Sequence, residues 1–319
     1  MKEKLYFMGS GEIAVPIIDK LYSSECFELV GVCTQEDKPA GRNKILTPTP
    51  VGLWAKEKGV SVVKPKSVNS DEFISHIKMR QPHLILVVSF GQILKQPILN
   101  IPVIGCINIH ASLLPKYRGA SPVTAAILNG DAETGVCFMQ MEKGLDSGPV
   151  FNEIRYTLRG DETADELEKS LGKLAAQHVD AILSDICSGK VSGVLQDASS
   201  ATNVGKIKKS DGLIDWKNKS ATQIERMVRA YHPWPGAYTF IHTQKGIRKI
   251  IITSASCTDS VSSAPGKIEA ANSKRFEIGA SSNSVLKLNR LIPEGKKEMS
   301  AEEFLRGTRV ELASECVNL

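Results

Sequence analysis

The first half of the chain alternates short apolar runs with amphipathic stretches, and this alternation restricts the possible folds more than any other feature. LYFMG, FELVGVCT, VSVVKP, LILVVSF and CINIH are predicted strands. EIAVPIIDKLYSS, VGLWAKEKG and SDEFISHIKMRQ between them are predicted helices, as is SPVTAAILNG after the last run. Strands that alternate with helices need crossover connections, so a parallel sheet covered by helices is expected. Two further strands, TGVCFMQM and VFNEIRYTL, precede a long predicted helix over 163–188. That helix starts on Thr163 with Glu166 three residues later, a reciprocal capping pattern.

From Ala237 the pattern changes to short β segments, AYTFIHT, IRKIIITSASC, GKIEAA, RFEIGA and VLKLNRLI, separated by Gly, Ser and Asn turns. Such spacing predicts a small barrel or sandwich. SATQIERMVRAY is a predicted helix before it, and SAEEFLRG one after it, capped by Ser300 and Glu303 and ending at Gly307. The polar stretch SSATNVGKIKKSDGLIDW reads as a linker. The expected organisation is an α/β domain over 1–189, a linker over 190–209 and a β domain over 210–319.

Charge separates the two parts. Residues 1–205 carry 21 Lys and Arg against 23 Asp and Glu, whereas residues 206–319 carry 19 against 12. A basic β module points to a polyanionic partner, because Lys and Arg gain affinity by releasing counterions from phosphates. The seven cysteines are scattered without a CxxC pair, which argues against a disulfide framework or a zinc cluster. No apolar run reaches the ~18 residues that span a bilayer. MKEKLYFMGSGE enters a strand directly, so a cytoplasmic protein with no membrane partner is expected.

Four local features bear on chemistry. GSGEIA, Gly9 to Ala14, formally meets the dinucleotide fingerprint, yet Glu36 and Asp37 open a loop instead of ending a strand, so a structural turn or another ligand is favoured. QEDKPAGRNKILTPTP is a long irregular loop with Lys38, Arg42 and Lys44, a candidate second nucleic-acid contact. In CINIH, alternation puts Asn108 and His110 on one face at a strand end, where open α/β sheets bind ligands. Asp146 lies in the turn of MEKGLDSGPVF, either as a local backbone acceptor or as the carboxylate that orients His110. No G-x-S-x-G elbow, phosphate loop or HExxH occurs, which leaves acid/base and oxyanion chemistry without a metal or an acyl-enzyme.

NIHASLLPKYRGASP followed by ILNGDAETGVCFMQMEKGLDSGPV closely resembles the signature of the formyltransferases that use 10-formyltetrahydrofolate. The resemblance implies a Rossmann-like sheet followed by an OB-like β-barrel, with Asn108, His110 and Asp146 as the catalytic group. It also implies folate contacts at Ser112, Leu113, Leu114 and Pro115, and at Phe90, Gly91, Gln92 and Leu94 in SFGQIL. It extends along the whole chain and is strongest to the branch that formylates initiator methionyl-tRNA. Lys38, Arg42 and Lys44 in the loop, with Lys206, Lys208 and Lys209 before the β domain, are then expected at the tRNA. A monomer is expected, and no dinucleotide in the first Gly turn. The chain departs from the family pattern at Ala111 for Gly, Tyr117 for Trp, Asn43 for Gly, and FMGSGE for FAGTPE. Relatives that formylate glycinamide ribonucleotide or nucleotide sugars, or that hydrolyse formyl-folate, are the rival readings, with a non-catalytic RNA-binding protein as the rival of another class.

Overall fold

A computed structural model describes residues 2–40, 45–272 and 274–310. The chain divides into two compact units: residues 1–122, 133–157 and 166–205, and residues 123–132, 158–165 and 206–319.

The first unit begins with β1 (Glu3–Gly9), α1 (Ala14–Tyr22) and β2 (Phe27–Cys33). The 34–49 loop carries a small hairpin, β3 (Lys38–Ala40) and β4 (Ile45–Thr47), where the sequence predicts irregular structure. Next come α2 (Pro50–Lys58), α3 (Asp71–Arg80), β5 (Leu84–Val88), α4 (Gln96–Leu99), β6 (Gly105–His110) and β7 (Arg118–Gly119). α5 (Pro122–Asn129) belongs to the second unit from Val123 onward. β8 (Glu133–Gln140), β9 (Val150–Thr157), α6 (Ala164–Cys187) and β10 (Asn203–Val204) complete the first unit, apart from the first two residues of α6.

The main sheet has the order β2-β1-β5-β6-β8-β9. Its first four strands are parallel, and β8 and β9 add antiparallel to that edge. One predicted strand needs correction. VSVVKP is no strand: Val63 makes a single bridge to Cys33, and Lys64 and Pro65 take the chain away from the edge. The sheet is mixed, because the β6–β8 and β8–β9 pairs run antiparallel.

Burial follows the strand pattern. All five residues of β5 are buried, and Tyr6, Met8, Ile85 and Val87 pack with Phe73 and Ile77 of α3 on one face. Each such side chain contributes about 1.5–3 kcal/mol on leaving water. α6 buries Leu167, Leu171, Ala175, Val179, Ile182, Leu183 and Ile186, a stripe spaced three and four residues apart. β1 lies between β2 and β5, so the chain reverses its direction of sheet growth there. Crevices form at the carboxyl ends of strands flanking such a reversal.

In the second unit α7 (Ala221–Ala230) precedes β11 (Ala237–Thr243), β12 (Gly246–Thr258), β13 (Ile268–Ala271), β14 (Phe276–Gly279), β15 (Val285–Pro293), β16 (Met299–Ser300) and α8 (Ala301–Gly307). The strands form an antiparallel sheet in the order β11-β12-β15-β14-β13, with β16 on β15. Register shifts between Ile252 and Ala255 let the 13-residue β12 curl. The result is a partly open barrel, filled by Ile241, Ile252, Ile278, Leu286 and Leu288 and closed by Ile224 and Val228 of α7 and Phe304 of α8. The capping boxes at Ser220 with Gln223 and at Ser300 with Glu303 start the two helices.

Candidate active site

The site is assembled at the carboxyl end of β6. Asn108 and His110 share one face of that strand, opposite Met139 and Cys137 of β8. His110 is 5% exposed and lies between two oxygens. Its Nε2 donates to the Tyr117 carbonyl at 2.9 Å, and its Nδ1 stands 3.7 Å from Asp146 Oδ2. That second separation exceeds a hydrogen bond but is within ion-pair range.

Asp146 joins the two strand residues. It occupies the left-handed region, with φ 47°, in the turn before β9. Oδ1 accepts from Asn108 Nδ2 at 3.5 Å, and Oδ2 accepts from the Gly119 N–H at 2.8 Å. The carboxylate therefore faces an amide, an imidazole and a backbone donor together. Among these the backbone bond is the shortest and fixes the carboxylate.

Gly119 can supply that donor only as glycine. Its φ is 117°, and a Cβ there would lie 2.2 Å from the Val204 carbonyl oxygen of β10. Gly119→Ala is expected to cost about 2–5 kcal/mol from strain plus overpacking. Thermal unfolding should show a midpoint lower by about 5–10 °C; an unchanged midpoint would show that β10 simply moves aside.

β10 belongs to a strap that sequence reasoning assigned to the linker. Thr202 accepts from the Tyr117 N–H through Oγ1 at 2.8 Å and from the Arg118 N–H through its carbonyl at 2.8 Å. The Ala120 N–H donates to the Val204 carbonyl at 3.0 Å. Residues 202–204 therefore hold the turn that presents both the Tyr117 carbonyl and the Gly119 N–H.

The residues expected at a folate lie beside this group in two ways. In SLLP, Ser112 is fully buried and donates to the Lys116 carbonyl at 2.6 Å. Leu113 is half-buried over β8, the Leu114 N–H donates to Cys137 Sγ at 3.3 Å, and the Pro115 carbonyl accepts from Thr202. Burial pushes the Cys137 thiol up to about 12, so it is a neutral acceptor and no nucleophile. In SFGQIL, Phe90 and Leu94 point into the core with Tyr6 and Ile98, and Gln92 is occupied by the Val68 N–H and the Pro65 carbonyl. What this segment can offer a ligand is its backbone around Gly91, which has φ 83°.

Sequence reasoning missed a polar network at the ends of β1 and β2. Ser10 Oγ accepts from the Gln35 N–H at 3.1 Å and from Thr34 Oγ1 at 3.2 Å, and Thr34 Oγ1 pairs with Thr49 Oγ1 at 2.6 Å. The Gln35 amide donates to the Phe90 carbonyl, and Lys38 Nζ donates to Gln35 Oε1 at 2.6 Å. This network anchors the base of the 34–49 loop. The Gly9–Ala14 turn is tied to the end of β5, since the Gly11 N–H donates to the Ser89 carbonyl at 3.3 Å.

Among the expected nucleic-acid contacts, Lys38 is exposed on the hairpin, while Arg42 and Lys44 lie outside the described residues. Lys206, Lys208 and Lys209 are exposed at the start of the second unit's final segment. Lys249 sits 3.7 Å over the Tyr238 ring, and burial, reinforced by the Lys209 charge, lowers its pKa. Among the described residues no cluster of three or more His, Cys, Asp or Glu could hold a metal ion, and no helix is long and apolar enough to cross a membrane.

Comparison with known proteins bears on both units. Residues 3–183 match the Formyl transferase family, and residues 206–309 match the Formyl transferase, C-terminal domain. The chain is 39% identical over 307 residues to the methionyl-tRNA formyltransferase of Geobacter metallireducens, covering 96% of each protein. HypX from Aquifex aeolicus, solved in complex with tetrahydrofolic acid, is similar with a TM-score of 0.60 at 14% identity; the match covers 95% of this chain but only 46% of HypX. The methionyl-tRNA formyltransferase from Clostridium thermocellum is similar with a TM-score of 0.56 at 16% identity, covering 81% of this chain and 94% of that one. At those identities the two structures bear on the fold alone. Two matched domains and a relative aligned along nearly the full length establish that this chain belongs to the formyl transferase family.

Proposed function

We propose that the chain transfers the formyl group of 10-formyltetrahydrofolate to the free amine of initiator methionyl-tRNA, giving N-formylmethionyl-tRNA for translation initiation. The observation that carries this reading is the convergence of Asn108, His110 and Asp146 at one strand end, within 3.5 and 3.7 Å of each other through the carboxylate. The donor set fits an acyl group passing between two nitrogens: an amide, an imidazole and a carboxylate converge, and the one thiol nearby is held neutral. The curated relative at 39% identity supplies the acceptor.

Asn108 and His110 stabilise the oxyanion that develops on the formyl oxygen, Asn108 through Nδ2 and His110 through Nδ1. Asp146 orients the imidazole and offsets its positive charge. At 3.7 Å the gross attraction between carboxylate and imidazolium is about 4 kcal/mol at an effective dielectric of about 20, before desolvation is subtracted. His110 gives its Nδ1 proton to the departing folate nitrogen and is reprotonated by the proton that the attacking amine loses. Ser112, Leu113, Leu114 and Pro115, with the backbone of Phe90, Gly91, Gln92 and Leu94, form the folate side of the crevice. No metal is required by this scheme.

Lys38, Arg42 and Lys44 bind the tRNA end, and Lys206, Lys208 and Lys209 its backbone. Arg42→Ala should raise KM for the tRNA about tenfold while leaving folate binding intact; kinetics equal to the parent chain would remove Arg42 from the interface. We place the reaction in the cytoplasm, performed by a monomer, which light scattering can test. The deciding assay offers a labelled formyl donor with charged initiator tRNA. Label on the methionine supports the assignment, whereas label on glycinamide ribonucleotide, on an amino sugar nucleotide or in free formate alone would overturn it.

A further inference from the structure

Gln196 lies fifty positions from Asp146 in a polar stretch, yet all of its hydrogen-bonding capacity is spent around the site. Its Nε2 donates to the Asp146 carbonyl at 2.9 Å and to the Gly148 carbonyl at 2.7 Å. Its Oε1 accepts from Arg118 Nε at 3.0 Å and from Arg118 Nη2 at 2.9 Å. Two donors and two acceptor positions are all that a Gln side chain has. The next residue after Arg118 is Gly119, whose N–H holds the Asp146 carboxylate at 2.8 Å. A closed ring results: Gln196 fixes the backbone of the left-handed Asp146 turn on one side and, through Arg118, the donor to the same residue's carboxylate on the other.

We propose that Gln196 is a positioning residue that sets the distance between Asp146 and His110. The proposal rests on the reading that Asp146 acts on His110 during formyl transfer. The separation it controls is 3.7 Å, where a displacement of a few tenths of an ångström decides between a hydrogen bond and a loose ion pair. Groups that orient a functional side chain from behind typically account for 10–100-fold in activity.

The test uses the full chain with Gln196→Met, which keeps length and volume and removes all four bonds, and Gln196→Glu, which keeps the acceptor for Arg118 and loses both donations to the turn. Two readouts are taken: steady-state kinetics of formyl transfer, and the ring ¹⁵N shifts of His110 at fixed pH, assigned against a His110→Asn variant. Both variants should lower kcat about 10-fold or more, hold KM for folate and tRNA within about twofold, and move the His110 shifts in the direction seen in Asp146→Asn. The proposal is overturned by kcat within twofold of the parent chain, by a loss confined to KM or thermal midpoint with unchanged His110 shifts, or by full activity in Gln196→Glu. If the parent chain transfers no formyl group to the tRNA, the proposed function fails, but the ¹⁵N comparison still decides whether Gln196 positions Asp146.

Discussion

Replacing His110 with alanine is expected to lower kcat for formyl transfer by about 10²–10⁴-fold, the range that a positioned acid/base group contributes. KM for either substrate should change little, because the ring is 5% exposed and not spread along a binding surface. The change also leaves the Tyr117 carbonyl without its Nε2 donor, a structural cost of about 1–3 kcal/mol that must be separated from chemistry. His110→Gln keeps an amide donor on this side chain without a proton-transfer group. Both variants should therefore lose kcat alike, while His110→Gln retains more of the thermal midpoint. A pH profile of kcat that kept both limbs in His110→Ala would remove the imidazole from proton transfer. A kcat within tenfold of the parent chain would do the same.

The parts of the molecule that the sequence made legible are those where burial imposes a period. β1 and β5 are apolar on both faces and α6 carries a spaced stripe, so their existence followed from pattern alone. Asn108 and His110 stood out because they break that pattern at a strand end. VSVVKP misled because three valines in four residues look like a strand whether or not an edge is free to pair with them; here Val63 makes one bridge and the chain turns away. The mixed sheet was illegible because direction depends on how β8 docks beside β6, not on the composition of either strand.

The support behind the site was harder to read still. Gln196, Thr202 and Val204 act through hydrogen bonds across about 50 to 90 residues of chain, and no local spacing encodes such partners. Gly119 was visible as a glycine in RGAS, but its need for a positive φ depends on Val204, which the sequence places 85 residues away. Phe90 and Leu94 show the opposite difficulty. Resemblance put them at a folate, and their side chains fill the core, so any contact of theirs passes through the backbone.

Asn108→Ala separates oxyanion stabilisation from the acid/base chemistry of His110. Removing one donor to a developing oxyanion costs about 10²–10³-fold in kcat. The Asn108 Nδ2 contact to Asp146 is long, at 3.5 Å, whereas the Gly119 N–H holds the same carboxylate at 2.8 Å, so the turn should survive the truncation. The fold is then intact and the loss is kinetic. Asn108→Asp is the sharper companion: it keeps the shape of the side chain but sets a second carboxylate against Asp146, replacing a donor with a repelling charge. Its kcat should fall at least as far as that of Asn108→Ala. A loss appearing only in KM would show that Asn108 binds substrate and transition state equally, and the oxyanion role would be withdrawn. If Asn108→Asp instead kept the activity that Asn108→Ala lost, the position would need only a polar group of that size, and His110 alone would carry the stabilising charge.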